Sequence, residues 1–182
     1  MQDLWVFGYG SLMWRPGFSF AERRPARLHG YHRDFCVYSH VHRGTPERPG
    51  LVFGLDAGGS CRGVAFRVDA GNAEATRRYL QERAQVTSVY VERQASVTLV
   101  DSQQRVEALC FVVDRNHQQY AGKLEFERQV DIILHGEGQS GKNPEYLKST
   151  VDHLNEAGIA DKELNRLWSA VEERLHLSAS LR

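Results

Sequence analysis

In the first two thirds of the chain, apolar and β-branched residues come in short runs or alternate with polar ones, a pattern that predicts strands. A glycine-rich stretch at residues 57–60 predicts a hairpin between two of these strands. One helical stretch interrupts the strands at residues 73–83, with Asn72 in position to cap it. The predicted strands are residues 4–7, 51–55, 63–68 and 106–113, together with parts of 26–39 and 86–100.

The last third of the chain has helical periodicity instead. Three amphipathic stretches repeat apolar residues at intervals of three and four. Gly136 is predicted to end the first in the left-handed conformation, and the side chains of Asn143 and Asp161 are predicted to cap the second and third. Strands followed by helices predict an α+β fold. The apolar stripes are Phe126, Val130, Ile133 and Leu134; Tyr146, Leu147, Thr150, Val151 and Leu154; and Leu164, Leu167, Trp168, Val171 and Leu175.

Length and charge narrow the class of protein. A chain of 182 residues can form one domain with a substantial core, so we expect a single domain over residues 1–182. Its 23 basic and 23 acidic residues balance, which gives no reason to expect a nucleic-acid or membrane partner. The N-terminus lacks the pattern of a signal peptide, and three widely spaced cysteines are typical of buried free thiols. We therefore expect a cytoplasmic protein.

Residues 5–14, Trp-Val-Phe-Gly-Tyr-Gly-Ser-Leu-Met-Trp, carry the first candidate chemistry. A strand that ends at Gly8 and Gly10 can aim several N–H groups at a carboxylate or a carbonyl oxygen. The alternative is a tight turn with no ligand. Met13 stands where a dinucleotide fingerprint needs its third glycine, and no Gly-Lys-Ser/Thr follows. Ser11 does not lie in Gly-x-Ser-x-Gly either, so it is a weak candidate for a nucleophile.

Two other loops have both a functional and a plain interpretation. Arg43 lies in a loop rich in glycine and proline, where its guanidinium could bind a carboxylate through two hydrogen bonds or simply be solvated. The glycine-rich stretch 136–143 could present N–H groups to an anion or simply connect two helices. The sequence leaves both alternatives open. It contains no Cys-x-x-Cys pattern that would indicate a zinc site.

The segment 7–14 resembles the Tyr-Gly-Ser-Leu signature of the ChaC family of γ-glutamylcyclotransferases, and further blocks follow in the family's order. Together these blocks cover most of the chain, from about residue 5 to residue 155. They are His-Arg-Gly-Thr-Pro at 42–46 with Pro-Gly at 49–50, Gly-Val-Ala-Phe at 63–66, Val-Thr-Ser-Val-Tyr at 86–90, Tyr-Ala-Gly-Lys-Leu at 120–124, and Gly-Gln-Ser-Gly-Lys-Asn at 138–143 with Glu-Tyr-Leu at 145–147.

The resemblance implies a small mixed β-barrel with flanking helices and no cofactor, and the residues themselves give no support for a metal. It also implies a small-molecule substrate, glutathione, which is split into 5-oxoproline and cysteinylglycine when its α-amino group attacks the γ-amide carbonyl. Residues 9–12 match the loop that holds the substrate and stabilises the oxyanion. The residues that the resemblance places at the substrate are Tyr9, Gly10, Ser11, Leu12, Arg43, Tyr90, Tyr120 and Asn143.

The sequence departs from the family at one position. The general-base glutamate normally follows an arginine near the end of the helix, and here that position holds Ala84. Glu82 is nearby in sequence but points about 200° away on a helix. Three explanations stay open: an engineered Glu→Ala variant, a naturally silent relative that only binds γ-glutamyl compounds, or another carboxylate that reaches the site. The intact state of the other blocks favours the first. The sequence decides neither the oligomeric state nor the choice between glutathione and other γ-glutamyl compounds.

Overall fold

The computed structural model describes every residue from Met1 to Arg182, in seven strands and four α-helices. A short 3₁₀ helix, Ser11–Met13, follows the first strand. None of the helices is both long and apolar enough to cross a membrane. The strands are β1 Leu4–Gly8, β2 Glu22–Ser39, β3 Gly50–Val68, β4 Tyr90–Leu99, β5 Arg105–Val113, β6 Glu137–Gly138 and β7 Gly141–Lys142, and the helices are α1 Ala70–Gln85, α2 Phe126–His135, α3 Asn143–Glu156 and α4 Lys162–Ser180.

Five strands close into a barrel in the order β1-β3-β2-β4-β5. The first strand runs antiparallel to β3, with Leu4 opposite Val68, and parallel to β5, with Trp5 opposite Ala108. The fourth strand runs antiparallel to both β2 and β5. Both parallel and antiparallel pairs are present, so the predicted α+β fold with a small mixed barrel is confirmed.

Side chains that point inward at alternate positions of the strands fill the core of the barrel. In β2, Ala26 and Leu28 face this core, and Tyr31 packs against it as well. Between them Gly30 has φ +90°, a conformation that glycine adopts readily, and the inward positions change there from even to odd. The remaining buried members of this core are Phe7, Leu55, Cys61, Ala65, Ala95, Val97, Leu99, Ala108, Cys110 and Val112.

The chain divides into two compact units. The first unit comprises Met1–Asp34 and Phe53–Gln118, and the second comprises Phe35–Val52 and Gln119–Arg182. Helix α1 lies in the first unit, whereas α2, α3 and α4 lie in the second. A single domain over residues 1–182 stays a prediction.

Helices α2 and α4 of the second unit pack together through charged and aromatic side chains as well as apolar ones. The guanidinium of Arg166 lies 4.1 Å from the ring centroid of Phe126, a cation–π contact.

Asp161 accepts a hydrogen bond from the Leu164 N–H at 3.1 Å, so its predicted role as the cap of α4 is confirmed.

Three predicted boundaries are wrong. Residues 57–60 do not form a hairpin loop, because β3 continues through Gly58 and Gly59 while β2 stays hydrogen-bonded beside it. Helix α1 begins at Ala70 with Asp69 as its N-cap, so Asn72 lies inside the helix. Gly136 does not adopt the left-handed conformation: its φ of −71° and ψ of 130° are extended because the chain continues directly into β6.

All three cysteines are buried and free, which confirms the prediction. Burial raises the pKa of the Cys110 thiol to about 12, against a small lowering by Arg93. Because only a thiolate reacts quickly with a disulfide reagent, the native protein should show almost no reaction with Ellman's reagent at pH 8. All three thiols should react once the chain is unfolded in guanidinium chloride. Rapid modification of a thiol in the native protein would contradict this.

Candidate functional site

The glycine-bearing turn that follows β1 lies in the first unit. Gly8 and Gly10 are buried, whereas Ser11 is exposed. The Met13 N–H donates to the Gly10 carbonyl at 2.9 Å and closes the 3₁₀ helix. A Cβ on Gly8 would lie 3.2 Å from the Cβ of Leu12, so the absence of a side chain lets the turn fold back closely on the strand end.

Three consecutive N–H groups of this turn, those of Gly10, Ser11 and Leu12, donate to no acceptor in the protein. The first N–H groups of any helix lack partners within that helix. Successive N–H groups of this kind are typical of sites that bind an anion or stabilise an oxyanion. The turn therefore has the donors that the predicted cradle needs, while substrate binding by these residues stays a prediction.

An arginine and an aromatic ring support the turn. Arg33 on β2 donates from Nε to the Tyr9 carbonyl at 2.7 Å, and its guanidinium lies 5.9 Å from the ring centroid of Phe53. A Cβ on Gly10 would lie 3.7 Å from the Phe53 ring. The Tyr90 hydroxyl donates to the Phe53 carbonyl at 2.6 Å. The structure therefore brings the turn and Tyr90 together around Phe53.

The surroundings of Ser11 do not favour a nucleophilic serine. Its Oγ accepts a hydrogen bond of 2.8 Å from Nη2 of Arg83. An activated serine needs a neighbouring base that can take its proton, and a guanidinium is always protonated. This contact positions the hydroxyl without activating it.

Ala84 lies in the last turn of α1, next to Arg83, and is partly buried. Its methyl group can neither take nor give a proton. Glu82 is exposed to solvent, in keeping with a direction about 200° away from Ala84 on the helix. Neither residue supplies a base on the side of the helix that Ala84 occupies.

Glu92 on β4 is a carboxylate that packs beside the helix face of Ala84. One face of α1 carries Arg77, Gln81 and Ala84 in succession. Arg77 donates a hydrogen bond to the Glu92 carboxylate, and Gln81 donates another at 2.8 Å. Burial raises the pKa of the Glu92 carboxyl, but the hydrogen bonds from Gln81 and Arg77 outweigh it and leave the pKa below its ordinary value. A carboxylate held in this way is a poor substitute for a base at position 84.

Arg43 lies in the second unit, in the loop between β2 and β3. Its backbone N–H donates to Ser39 Oγ at 2.9 Å, and Nη1 of its side chain donates to the Lys142 carbonyl at 3.1 Å. The guanidinium also lies 5.5 Å from the ring centroid of Tyr146. The loop thus holds the side chain in place with most of its five N–H donors still available for a carboxylate.

Glycines let the Arg43 loop pack against its neighbours through the backbone. A Cβ on Gly50 would lie 2.3 Å from the Arg43 carbonyl oxygen, and one on Gly138 would lie 2.4 Å from the Val41 carbonyl oxygen. The Gln139 N–H donates to that same Val41 carbonyl at 2.8 Å. At least this part of the stretch 136–143 serves to connect and pack the chain, as its plain interpretation predicts.

Asn143 does not cap α3, so that prediction is wrong: the N-cap residue is Lys142, and it makes no side-chain cap bond. The Asn143 side chain is fully buried, with 0% exposure. Its Oδ1 accepts from the Leu51 N–H at 2.8 Å, and its Nδ2 donates to the Leu51 carbonyl at 2.9 Å. A substrate-binding role stays a prediction, but two backbone partners already hold the amide.

The structure brings Arg43 and Asn143 together in the second unit. A Cβ on Gly136 would lie 2.8 Å from the Arg43 carbonyl oxygen and 2.9 Å from Cβ of Asn143. Tyr120 belongs to the same unit and is partly buried, and its backbone forms an antiparallel bridge with Val37. Its role at the substrate also stays a prediction.

One group of side chains outside the predicted site has the residue types of a metal site. The ligand atoms of His32, Asp34 and Asp56 lie within 4.8 Å of one another in the first unit. However, Nε of Arg115 already lies 2.7 Å from Asp56 Oδ1. The guanidinium supplies the positive charge that the buried carboxylate requires, so we assign no metal to this group.

A family model described as "ChaC-like protein" matches residues 4–174. The chain belongs to the ChaC-like family. Its relatives include a glutathione-specific γ-glutamylcyclotransferase from Escherichia coli K12, which is 34% identical over 94% of this chain and 74% of its own length. A human glutathione-specific γ-glutamylcyclotransferase 1 is 34% identical over 93% of this chain and 79% of its own length.

Solved structures agree with the family assignment at the level of the fold. The crystal structure of a yeast γ-glutamylcyclotransferase specific to glutathione superposes with a TM-score of 0.84 and covers 95% of this chain and 97% of that one. The two sequences are 23% identical, so this similarity concerns the fold alone.

Two arginines at the turn were not predicted from the sequence to have a role. Arg83 belongs to the pattern that located position 84, which could have drawn attention to it. Arg33 lies in an ordinary strand pattern, and no sequence signal indicates that it reaches the Tyr9 carbonyl. Its partner lies on another element, and only the closed barrel brings the two together.

Proposed function

We propose that this chain is a γ-glutamylcyclotransferase that acts on glutathione, and that Ala84 makes its turnover slow. Membership of the ChaC-like family supports the reaction class, and the names of the E. coli and human relatives support the substrate. The structural observation that carries the proposal is the turn with three N–H groups that have no acceptor, at Gly10, Ser11 and Leu12.

The reaction needs little more than folding the substrate and moving protons from its α-ammonium to the leaving nitrogen. The α-amino nitrogen of the γ-glutamyl group attacks the γ-amide carbonyl carbon, and the bond from that carbon to the cysteine nitrogen then breaks. Two protons leave the α-ammonium as it becomes the ring amide, and both end on the nitrogen of cysteinylglycine, which leaves as an ammonium, so atoms, electrons and charge balance without water or a cofactor. Because both reacting groups belong to one molecule, a site that holds them close removes much of the barrier.

Each part of the proposed site has one task. The N–H groups of the turn stabilise the negative charge that develops on the carbonyl oxygen. Position 84 would hold the base that deprotonates the α-ammonium, and Ala84 cannot do so. The chain therefore retains substrate stabilisation but loses proton transfer.

A second candidate function follows from the same residue. A protein with a complete cradle and no base at position 84 binds γ-glutamyl compounds without converting them. Ala84 itself favours this candidate, and so does the way in which Gln81 and Arg77 hold Glu92.

The two candidates are separated by measuring binding and turnover on the same sample. Titration calorimetry gives the affinity for glutathione, and chromatography after long incubation at high protein concentration gives 5-oxoproline. The main proposal expects binding together with slow release of 5-oxoproline and cysteinylglycine in equal amounts. Binding without product favours the silent binder, and the absence of both overturns both candidates. Oxidised glutathione is a control for the size of the leaving group.

A further inference from the structure

The side chain of Arg83 links α1 to the segment that forms and follows the turn after β1. Its Nη2 donates to Ser11 Oγ at 2.8 Å, and its Nη1 lies 3.0 Å from the Arg15 carbonyl oxygen and 3.4 Å from that of Pro16. These carbonyls follow the end of the 3₁₀ helix at Met13, and helical N–H groups donate only to carbonyls earlier in the chain, so their donors come from elsewhere. One guanidinium thus satisfies acceptors on three residues of the same segment.

Tyr79, one helical turn before Arg83, strengthens the link. Its hydroxyl lies 3.1 Å from Arg83 Nη1, and residues four apart on a helix share a face. A Cβ on Gly17 would lie only 2.2 Å from that hydroxyl, and Gly17 has φ +76°. The chain therefore passes Tyr79 as closely as glycine allows, so residues 11–17 are held along one face of α1.

We propose that Arg83 is a positioning residue for the γ-glutamyl site, which orders the N–H groups of Gly10, Ser11 and Leu12 before the ligand arrives. The inference rests on the proposed function for the identity of the ligand. Arg33 holds the start of the turn at the Tyr9 carbonyl, and Arg83 holds its end, so both ends of the donor row are fixed. A site ordered in advance binds more tightly because less conformational entropy is lost on binding.

The test compares Arg83→Gln and Arg83→Lys with the unmodified chain. Glutathione affinity is measured by calorimetry, and amide hydrogen exchange is followed at Met13 and Arg15, whose N–H groups bond within the turn. Arg83→Gln should weaken binding roughly 10- to 100-fold and speed exchange at these two amides, because bonds to a charged donor are lost. Arg83→Lys keeps the charge and should recover part of both.

Arg78→Gln is the matched control, because Arg78 lies on the same helix, is exposed and makes only a 4.0 Å contact with Glu74. It should change neither readout. A generally weakened fold would instead speed exchange throughout the barrel and lower the melting temperature. Unchanged affinity and unchanged exchange at Met13 and Arg15 in Arg83→Gln would overturn the proposal.

Failure of the proposed function and failure of the inference about Arg83 give different results. If the unmodified chain binds no glutathione, the proposed function fails, while hydrogen exchange still decides whether Arg83 orders the turn. If Arg83→Gln does not fold, Ser11→Ala and Tyr79→Phe each remove a single contact of the guanidinium. Faster exchange at Met13 and Arg15 in both variants would support the inference, and unchanged exchange in both would overturn it.

Discussion

Replacing Ala84 with glutamate should raise the rate of 5-oxoproline release from glutathione by roughly 10²- to 10⁴-fold, the usual contribution of a general base. The position is partly buried at the end of α1, next to the arginine that binds Ser11. A carboxylate there can take the proton of the α-ammonium and pass it to the leaving amine. Steady-state assays of both proteins at the same pH measure the ratio.

Ala84→Gln is the control, because glutamine matches the size and polarity of glutamate but cannot act as a base. Most of the gain should appear in kcat, since the added group acts on proton transfer more than on substrate binding. Equal rates for Ala84→Gln and Ala84→Glu would contradict the assignment of a base to position 84. If the unmodified chain already releases 5-oxoproline as fast as Ala84→Glu does, the base lies elsewhere. Glu92→Gln then tests the carboxylate that packs beside α1.

Replacing Asn143 with alanine should lower the free energy of unfolding by about 2–6 kcal/mol, because it leaves two backbone groups of Leu51 without partners and each costs about 1–3 kcal/mol when buried. Asn143 is 0% exposed, and its amide matches both the N–H and the carbonyl of Leu51. Urea unfolding followed by circular dichroism, with the slope of the transition compared between variants, measures the loss.

Asn155→Ala is the matched control for this experiment. Asn155 is exposed near the end of α3 and donates only to the side chain of Asn165 at 3.2 Å. Its loss should change the free energy of unfolding by less than about 0.5 kcal/mol, as is usual for surface positions. Asn143→Asp should destabilise strongly as well, since an oxygen then replaces the donor that faces the Leu51 carbonyl. A loss below about 1 kcal/mol in Asn143→Ala would show that water or a neighbour satisfies Leu51.

The sequence predicted the fold class because periodicity is a local property. The strand of residues 4–7 and the helix capped by Asp161 follow from patterns within a few residues of each other. The continuous β3 was missed because Gly58 and Gly59 have the same local pattern in a hairpin as in a bent strand. What decides between them is the length of β2 alongside, and that is a tertiary property.

The candidate site was predicted from motifs, and motifs do not say what a side chain touches. Asn143 has the sequence context of a helix cap, yet its amide turns inward to Leu51 on a strand far away in the chain. Arg33 carries no motif at all and still holds the Tyr9 carbonyl. The residues at positions 9–12 and 84 could be located from the sequence, whereas the contacts that hold them could not.

The pairing of β1 has a consequence for the way the chain folds as it is made. Trp5 lies beside Ala108 in a parallel pair, and Leu4 lies opposite Val68. Strand β1 leaves the ribosome before both of its partners, so it has none until β3 has emerged, and the barrel cannot close before β5 follows. Its apolar side chains stay exposed for that interval, when a chaperone can bind them and aggregation competes with folding. Slower translation between residues 8 and 68 would lengthen that vulnerable period without changing the folded protein.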